Sequence, residues 1–251
     1  MQSQKPFVRL AAVGDLHYGK ASRGTLQTLF AAVTRLEADI LILCGDLTDY
    51  GLPDEAAELA RELASGIKIP MVGVLGNHDY ESGASVEITR LLTEAGMTVL
   101  DGETVEVLGV GFAGVKGFAG GFGRGVLGPW GEEIIKRFVQ EAVAEALKLE
   151  TALARLRTPT RVAILHYAPI AGTVEGEPRE IFPWLGCSRL EEPLVRYEVT
   201  AVFHGHAHHG VAEGQTINGT PVYNVSLPLL IATNPEQPLR VLDVPVTTVS
   251  P

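Results

Sequence analysis

Met71-Val72-Gly73-Val74-Leu75-Gly76-Asn77-His78-Asp79-Tyr80 is the stretch on which the fold turns. The apolar run at its start is short enough for a buried strand and too short for a helix. It stops at Gly-Asn-His-Asp, so a strand here delivers an amide, an imidazole and a carboxylate to the carboxyl end of a sheet. In open α/β sheets that end is where ligands bind. Asn and Asp also favour turns, so the stretch alone is equally readable as a polar turn. The rest of the chain separates the two.

The same arrangement occurs twice before it. Phe7 to Val13 is apolar and ends at Gly14-Asp15-Leu16-His17, and Ile40 to Cys44 ends at Gly45-Asp46-Leu47-Thr48-Asp49. Helices are expected after each strand: Thr25 to Glu37 with Leu26, Leu29, Phe30, Val33 and Leu36 at helical spacing, Pro53 to Ser65, and Ser85 to Ala95. Strand and helix alternating in this way indicates a mainly parallel sheet with crossover helices. From Thr98 the pattern changes, and Thr98–Leu100, Thr104–Val107 and Gly109–Gly114 read as a meander of short strands. A glycine-rich loop spans 115–131. Glu132 to Leu156 is the longest helix, with an apolar stripe of Ile135, Phe138, Val139, Ala142, Ala146, Leu149 and Leu153 and a charged, solvated opposite face. Arg161 to Leu165 then ends at His166, and Val199 to Phe203 ends at His204-Gly205-His206-Ala207-His208-His209. Leu190–Tyr197 reads as a short helix, and Val211–Glu213, Pro221–Val225 and Leu239–Val244 as closing strands. No repeat and no low-complexity linker divides the 251 residues, which read as one domain.

All seven histidines lie at strand ends, next to Asp15, Asp46 and Asn77. Imidazole, carboxylate and amide oxygen form a mixed N/O donor set that suits Mn, Fe, Zn, Co or Ni and lacks the thiolates of a structural zinc site. Asp46 stands alone between two donor groups, and a bridging role for it would set two cations about 3.5–4 Å apart. Two divalent ions, manganese first among them, are the expected cofactors.

The series Gly14-Asp15-Leu16-His17, Gly45-Asp46-Leu47-Thr48-Asp49, Gly76-Asn77-His78-Asp79, His166 and Gly205-His206-Ala207-His208 resembles the calcineurin-like metallophosphoesterases, in order, from residue 14 to residue 208. That resemblance implies a four-layer α/β/β/α sandwich of two mixed sheets. It implies one metal held by Asp15, His17, Asp46 and His208, and a second by Asp46, Asn77, His166 and His206. It implies hydrolysis of a phosphodiester or phosphomonoester by a hydroxide bridging the two metals. His78 would assist the leaving group as the catalytic residue outside the metal shell, oriented by Asp49. His204 then falls to the core or behind the ligands, and His209 to an exposed turn. Two departures stand against the protein-phosphatase branch: Tyr50 follows Asp49 where that branch has a phosphate-binding Arg, and Asp79 replaces Glu. Candidate substrate contacts are Tyr18, Lys116 and Arg124, with Lys20, Arg23, Tyr80 and Tyr167 also in reach of the motifs.

Composition narrows the partners. With 46% hydrophobic residues the chain can bury a sizeable core, and its net charge of −10 argues against extended nucleic acid and anionic membranes while leaving a small phosphorylated substrate open. Cys44 and Cys187 are too few and too far apart for a disulfide framework. No 18-residue apolar span and no signal-peptide core is visible, so a cytoplasmic protein is expected. The rival from another class is a catalytically silent metal-binding scaffold for protein interaction, against which the retention of His78 and every ligand counts.

Overall fold

The apolar runs become the central strands of two sheets in a computed structural model, which describes residues 6–19 and 26–246. In the first sheet β1 (Phe7–Val13), β2 (Ile40–Cys44), β3 (Met71–Val74) and β4 (Met97–Val99) run parallel. They are joined through α1 (Leu26–Arg35), α2 (Pro53–Gly66) and α3 (Ser85–Glu94). The last strand of the chain, β11 (Arg240–Pro245), closes the β1 edge antiparallel. The second sheet has β5 (Thr104–Val107) antiparallel to β6 (Val110–Gly114), then β7 (Thr160–Ile164), β8 (Ala201–His204) and β10 (Pro221–Asn224) parallel to it, and β9 (Glu213–Gln215) antiparallel at the far edge. Long α4 (Glu133–Arg155) crosses from β6 to β7, α5 (Phe182–Leu185) and α6 (Glu191–Arg196) precede β8, and α7 (Leu227–Thr233) follows β10.

Side-chain alternation explains the layering. Val110, Phe112, Val162, Ile164, Ala201 and Phe203 share one buried cluster with the first sheet and α1–α3. The residues between them, Ala113, Ala163 and Val202, pack instead with Leu149, Ala152 and Leu153 of α4. Strands with period 2 and apolar residues on both faces must be covered on both sides, and the result is the expected four-layer α/β/β/α sandwich. Each large aliphatic or aromatic side chain so buried contributes about 1.5–3 kcal/mol.

Several elements differ from the sequence expectation, and the strand read at Val211–Glu213 lies instead at Glu213–Gln215. Met97–Val99 does not join a meander; the chain returns through α3 so that this strand lies parallel beside β3. Only β5 and β6 form the hairpin. The segment Leu227–Thr233, given no element in sequence, is helical, with Pro228 in the first turn where its missing N–H costs nothing. On α4, Ile135 is 39% exposed, while Glu145, expected on the solvated face, is 1% exposed. None of the described helices is long and apolar enough to cross a membrane.

Candidate metal centre

Five strands, β1, β2 and β3 of one sheet and β7 and β8 of the other, end at the same place, and every motif loop follows one of them. The loops after β1 and β2 are laced together by main-chain hydrogen bonds: Asp15 N–H to Gly45 O (2.9 Å), His17 N–H to Asp46 O (3.0 Å) and Tyr18 N–H to Leu47 O (3.0 Å). Such close approach leaves no room for side chains at the motif glycines. A Cβ on Gly76 would stand 2.2 Å from Asp46 N and Oδ1, and one on Gly45, where φ is +80°, would stand 2.6 Å from His166 Nδ1. Among the described residues seven non-glycines have positive φ, and four of them are Asp15 (56°), His17 (43°), Asp46 (47°) and His206 (70°). Left-handed backbone at such residues costs of order 1–3 kcal/mol each and persists only where the surroundings impose it.

Asp79 is part of that imposition. It is fully buried, and its carboxylate accepts from Leu47 N–H (3.2 Å), Thr48 N–H (2.8 Å), Thr48 Oγ1–H (2.6 Å) and Gly76 N–H (2.8 Å). Burial pushes its pKa up to about 6, against the pull of these donors. One side chain thus ties the loop after β2 to the loop after β3. Asp79→Ala orphans three main-chain donors at about 1–3 kcal/mol each. A fall in the thermal midpoint of roughly 10 °C is expected for a chain of this size, read by calorimetry; an unchanged midpoint contradicts the tie.

The side chains converge in two groups. Asp15, His17 and His208 place ligand atoms within 4.8 Å of one another, and Asp46, His166 and His206 do the same. In the first, His208 Nε2 lies 3.1 Å from Asp15 Oδ1 and 3.5 Å from His17 Nε2. In the second, His166 Nε2 lies 2.8 Å from Asn77 Oδ1 and 3.4 Å from Asp46 Oδ1. Asp46 stands between them, its Oδ2 3.9 Å from His17 Nε2 and its Oδ1 accepting the His78 N–H at 2.8 Å. The Asp15 carboxylate accepts the His206 N–H at 2.9 Å, which ties the two sheets together at the site.

Protonation decides whether these groups fit a cation. Burial lowers the pKa of His166 to about 3 and of His206 to about 3, and lowers that of His17, so all three are neutral at pH 7. His208 goes the other way, raised by its hydrogen bond with Asp15, while burial pushes Asp15 up. The one proton of neutral His166 is engaged at Nδ1, which donates to Cys44 O at 2.9 Å. Its Nε2 therefore presents a lone pair to two oxygens, Asn77 Oδ1 and Asp46 Oδ1, with no hydrogen to share. In the same way Nε2 of His206 donates to Trp184 O at 3.2 Å and leaves its Nδ1 as the acceptor. Buried acceptors facing one another are repulsive unless a cation lies among them, and neutral imidazole held by a carbonyl at its other nitrogen is the form that binds metal. The donor set fits two divalent ions.

His78 lies beside both groups but with a different partner from the one expected. Its Nδ1 donates to the main-chain carbonyl of Asp49 at 2.6 Å, whereas the Asp49 carboxylate lies 3.7 Å from His17 Nδ1. The turn of residues 78–80 sets this geometry, since it swings the imidazole back over the loop after β2. Burial lowers the pKa of His78, but the Asp49 carbonyl and the charges of Asp46, Glu81 and Asp49 outweigh it and the net shift is upward. His17, Asp49 and His78 form a third close group of donors at the rim.

Other expectations sort themselves. Tyr18 does not reach the centre: it is 1% exposed and its hydroxyl donates to Glu62 of α2 at 2.5 Å, because the bridge between residues 18 and 48 turns it to that side. Arg124 lies exposed on the turn Gly123–Gly125. Lys116 is packed over the rings of Tyr80, Phe118 and Tyr167. Tyr80 is 38% exposed, and the buried Tyr167 ring lies 4.5 Å from that of His206. His204 is buried, with Nδ1 on Gly205 O and Nε2 on Thr173 Oγ1, both at 2.8 Å, and His209 is exposed. Lys20 and Arg23 lie outside the described residues. The Trp184 carbonyl on His206 and the Asp79 tie were not visible in sequence: a main-chain acceptor carries no residue signal, and the sequence marks Asp79 only as a polar residue beside His78.

A family model described as calcineurin-like phosphoesterase matches residues 8–210. One solved chain is 17% identical with a TM-score of 0.62, covering 88% of this chain and 91% of its own. TT1561 of Thermus thermophilus is 13% identical with a TM-score of 0.58, over 96% of this chain and all of that one. GAP50, the anchor in the inner membrane complex of Plasmodium, is 11% identical with a TM-score of 0.52, over 89% and 73%. At these identities the likeness is one of fold. No curated protein sequence matches.

Proposed function

Because the chain belongs to the calcineurin-like phosphoesterases, which are dinuclear metal-dependent hydrolases of phosphoric esters, we propose that it hydrolyses a small phosphodiester or phosphomonoester at the centre described above. The observation that carries this reading is the hydrogen-less convergence of His166 Nε2, Asn77 Oδ1 and Asp46 Oδ1. Asp15, His17, Asp46 and His208 would hold one ion and Asp46, Asn77, His166 and His206 the other, with manganese our choice among the N/O-binding metals. When bound, such ions supply Lewis acidity, activating water near neutral pH and offsetting charge on the phosphoryl oxygens.

The chain's own residues do the rest. The Asp49 carbonyl takes the Nδ1 proton of His78 and leaves Nε2, 4.0 Å from Asp46 Oδ2, as the atom that delivers a proton to the departing oxygen. The raised pKa of His78 keeps that proton available. We assign the Asp49 side chain to His17 and the Asp49 main chain to His78. Strands β9, β10 and β11 lie beyond residue 210 yet complete both sheets, which supports one domain acting as a unit.

The test pairs elemental analysis of the purified protein with turnover of p-nitrophenyl phosphate and its bis ester in added Mn²⁺. Close to two ions per chain and hydrolysis of at least one ester are expected. Full loading with neither ester hydrolysed refutes the proposal and leaves a silent scaffold.

A further inference from the structure

Beside the metal centre a cleft of about 380 Å³ opens between α3, the segment after β4 and the loop after β6, its wall made by Leu75, Tyr80, Val99, Leu100 and Lys116, with Asp101 and Glu103 also lining it. It borders the centre by short links. Tyr80 lies two residues beyond His78. The Lys116 carbonyl accepts both the His166 and the Tyr167 main-chain N–H at 3.0 Å. The Tyr167 ring stands between, 4.5 Å from the His206 ring on one side and 5.3 Å from Lys116 Nζ on the other.

Lys116 is the unusual member. The residue is half-buried, and its ammonium lies 4.8 Å from the Phe118 ring centre and 5.6 Å from that of Tyr80 and donates a hydrogen bond to Gly117 O at 2.8 Å. Among the described residues no carboxylate forms an ion pair with it. Two of the nearby acids, Glu145 and Asp101, are already paired with Lys148. Glu145, 1% exposed, accepts Gly117 N–H at 2.8 Å with one oxygen and meets Lys148 Nζ at 2.7 Å with the other. Asp101 is paired with Lys148 at 2.9 Å, and Glu103 accepts the Asp101 N–H at 2.7 Å. Glu145 thereby pins the turn that carries Lys116. Aromatic faces attract a cation but supply no acceptor for its remaining N–H groups. A poorly hydrated charge with donors to spare is costly without a partner, and desolvation accordingly lowers the Lys116 pKa, with Glu145 and Glu141 opposing.

We propose that Lys116 is the specificity residue of this cleft and binds a second anionic group carried on the leaving group of the phosphoester, so that the substrate is anchored at one end on the metal centre and at the other on the ammonium. This rests on the hydrolase reading above and narrows it to phosphoesters whose alcohol portion bears a carboxylate or a further phosphate. An oxyanion there completes the ammonium's hydrogen bonds in surroundings where charge-assisted bonds are strong. The apolar walls receive the carbon frame.

The experiment compares matched substrates on the metal-loaded full chain. 3-Phosphoglycerate and glycerol 3-phosphate differ in a carboxylate, and fructose 1,6-bisphosphate and fructose 6-phosphate in a phosphate. The protein is expected to favour the more anionic member of at least one pair by roughly 10–100-fold in kcat/KM, the worth of a charge-assisted hydrogen bond; which pair responds tells carboxylate from phosphate. Lys116→Met, which keeps the packing among the rings, collapses that preference, mainly through KM, while Lys116→Arg retains part of it. Equal use of both members of each pair, or a loss in Lys116→Met that falls on both members alike, overturns the proposal and makes the lysine a packing element. If the loaded protein hydrolyses p-nitrophenyl phosphate but none of the four, the specificity assignment fails alone; if it hydrolyses none of these esters, nor the bis ester, the hydrolase reading fails with it.

Discussion

Asp46→Asn is expected to empty the centre and abolish turnover together. The Asp46 side chain reaches both donor groups, with Oδ1 near His166 and Oδ2 near His17. An amide has the same shape and can still accept the His78 N–H through its oxygen, so the loop geometry survives. What disappears is a unit charge among cations. At an effective dielectric of about 20 a pair of unit charges 4 Å apart is worth roughly 4 kcal/mol, or about 10³ in affinity. Asp46 is 1% exposed, so replacing its charge by a neutral amide also relieves a burial cost, and the metal-free variant should unfold no earlier than the parent. Metal content, phosphoester turnover and the apo thermal midpoint are the three readouts. A variant that keeps two ions, or whose activity falls only because it unfolds, rules out a bridging carboxylate.

His78→Ala should separate chemistry from loading. The imidazole is bound through Nδ1 to a main-chain carbonyl, so its removal leaves the two donor groups in place. Metal content should stay at the parental value while kcat falls roughly 10²–10⁴-fold, the range for a lost general acid. The pH dependence gives the sign. The protonated form does the work, so activity is present below the pKa of His78 and is lost as pH rises through it. The Asp49 carbonyl and the surrounding carboxylates raise that pKa against the effect of burial, and bound cations oppose them, so the decline moves to lower pH as the centre loads. The variant should lack this decline. Parental turnover, or a pH profile of parental shape, removes His78 from the mechanism.

Much of this was legible in the chain because the signals are local. A strand such as Ile40–Cys44 is buried end to end, and only an apolar run followed at once by glycine and polar residues makes such a strand with a site at its tip. Gly45 and Gly76 stood out for the same reason, since no other residue fits the contacts they make. Sequence was silent where the partner is a main-chain atom. Nothing in Gly-Asp-Leu-Thr-Asp tells whether His78 meets the carboxylate or the carbonyl of Asp49, and the structure chooses the carbonyl. Tyr18 misled because adjacency to His17 says nothing of side-chain direction at a residue that enters a bridge. Glu145 misled in the opposite sense: on a helix with a solvated charged face its burial depends on Gly117, 28 positions away.

The two sheets contribute differently to the centre, both carboxylates, the amide and the His17 imidazole from one and three imidazoles from the other. Ions seated there are cross-links between layers that otherwise adhere through apolar contact and a few hydrogen bonds such as those of Asp15 with His206 and of His166 with Cys44. Saturation and folding then become linked equilibria. For an ion at a hundred times its dissociation constant the folded form gains about 2.7 kcal/mol per site. A starved cell would therefore hold not merely an idle enzyme but a looser molecule, in which the seam between the layers is the first part to open.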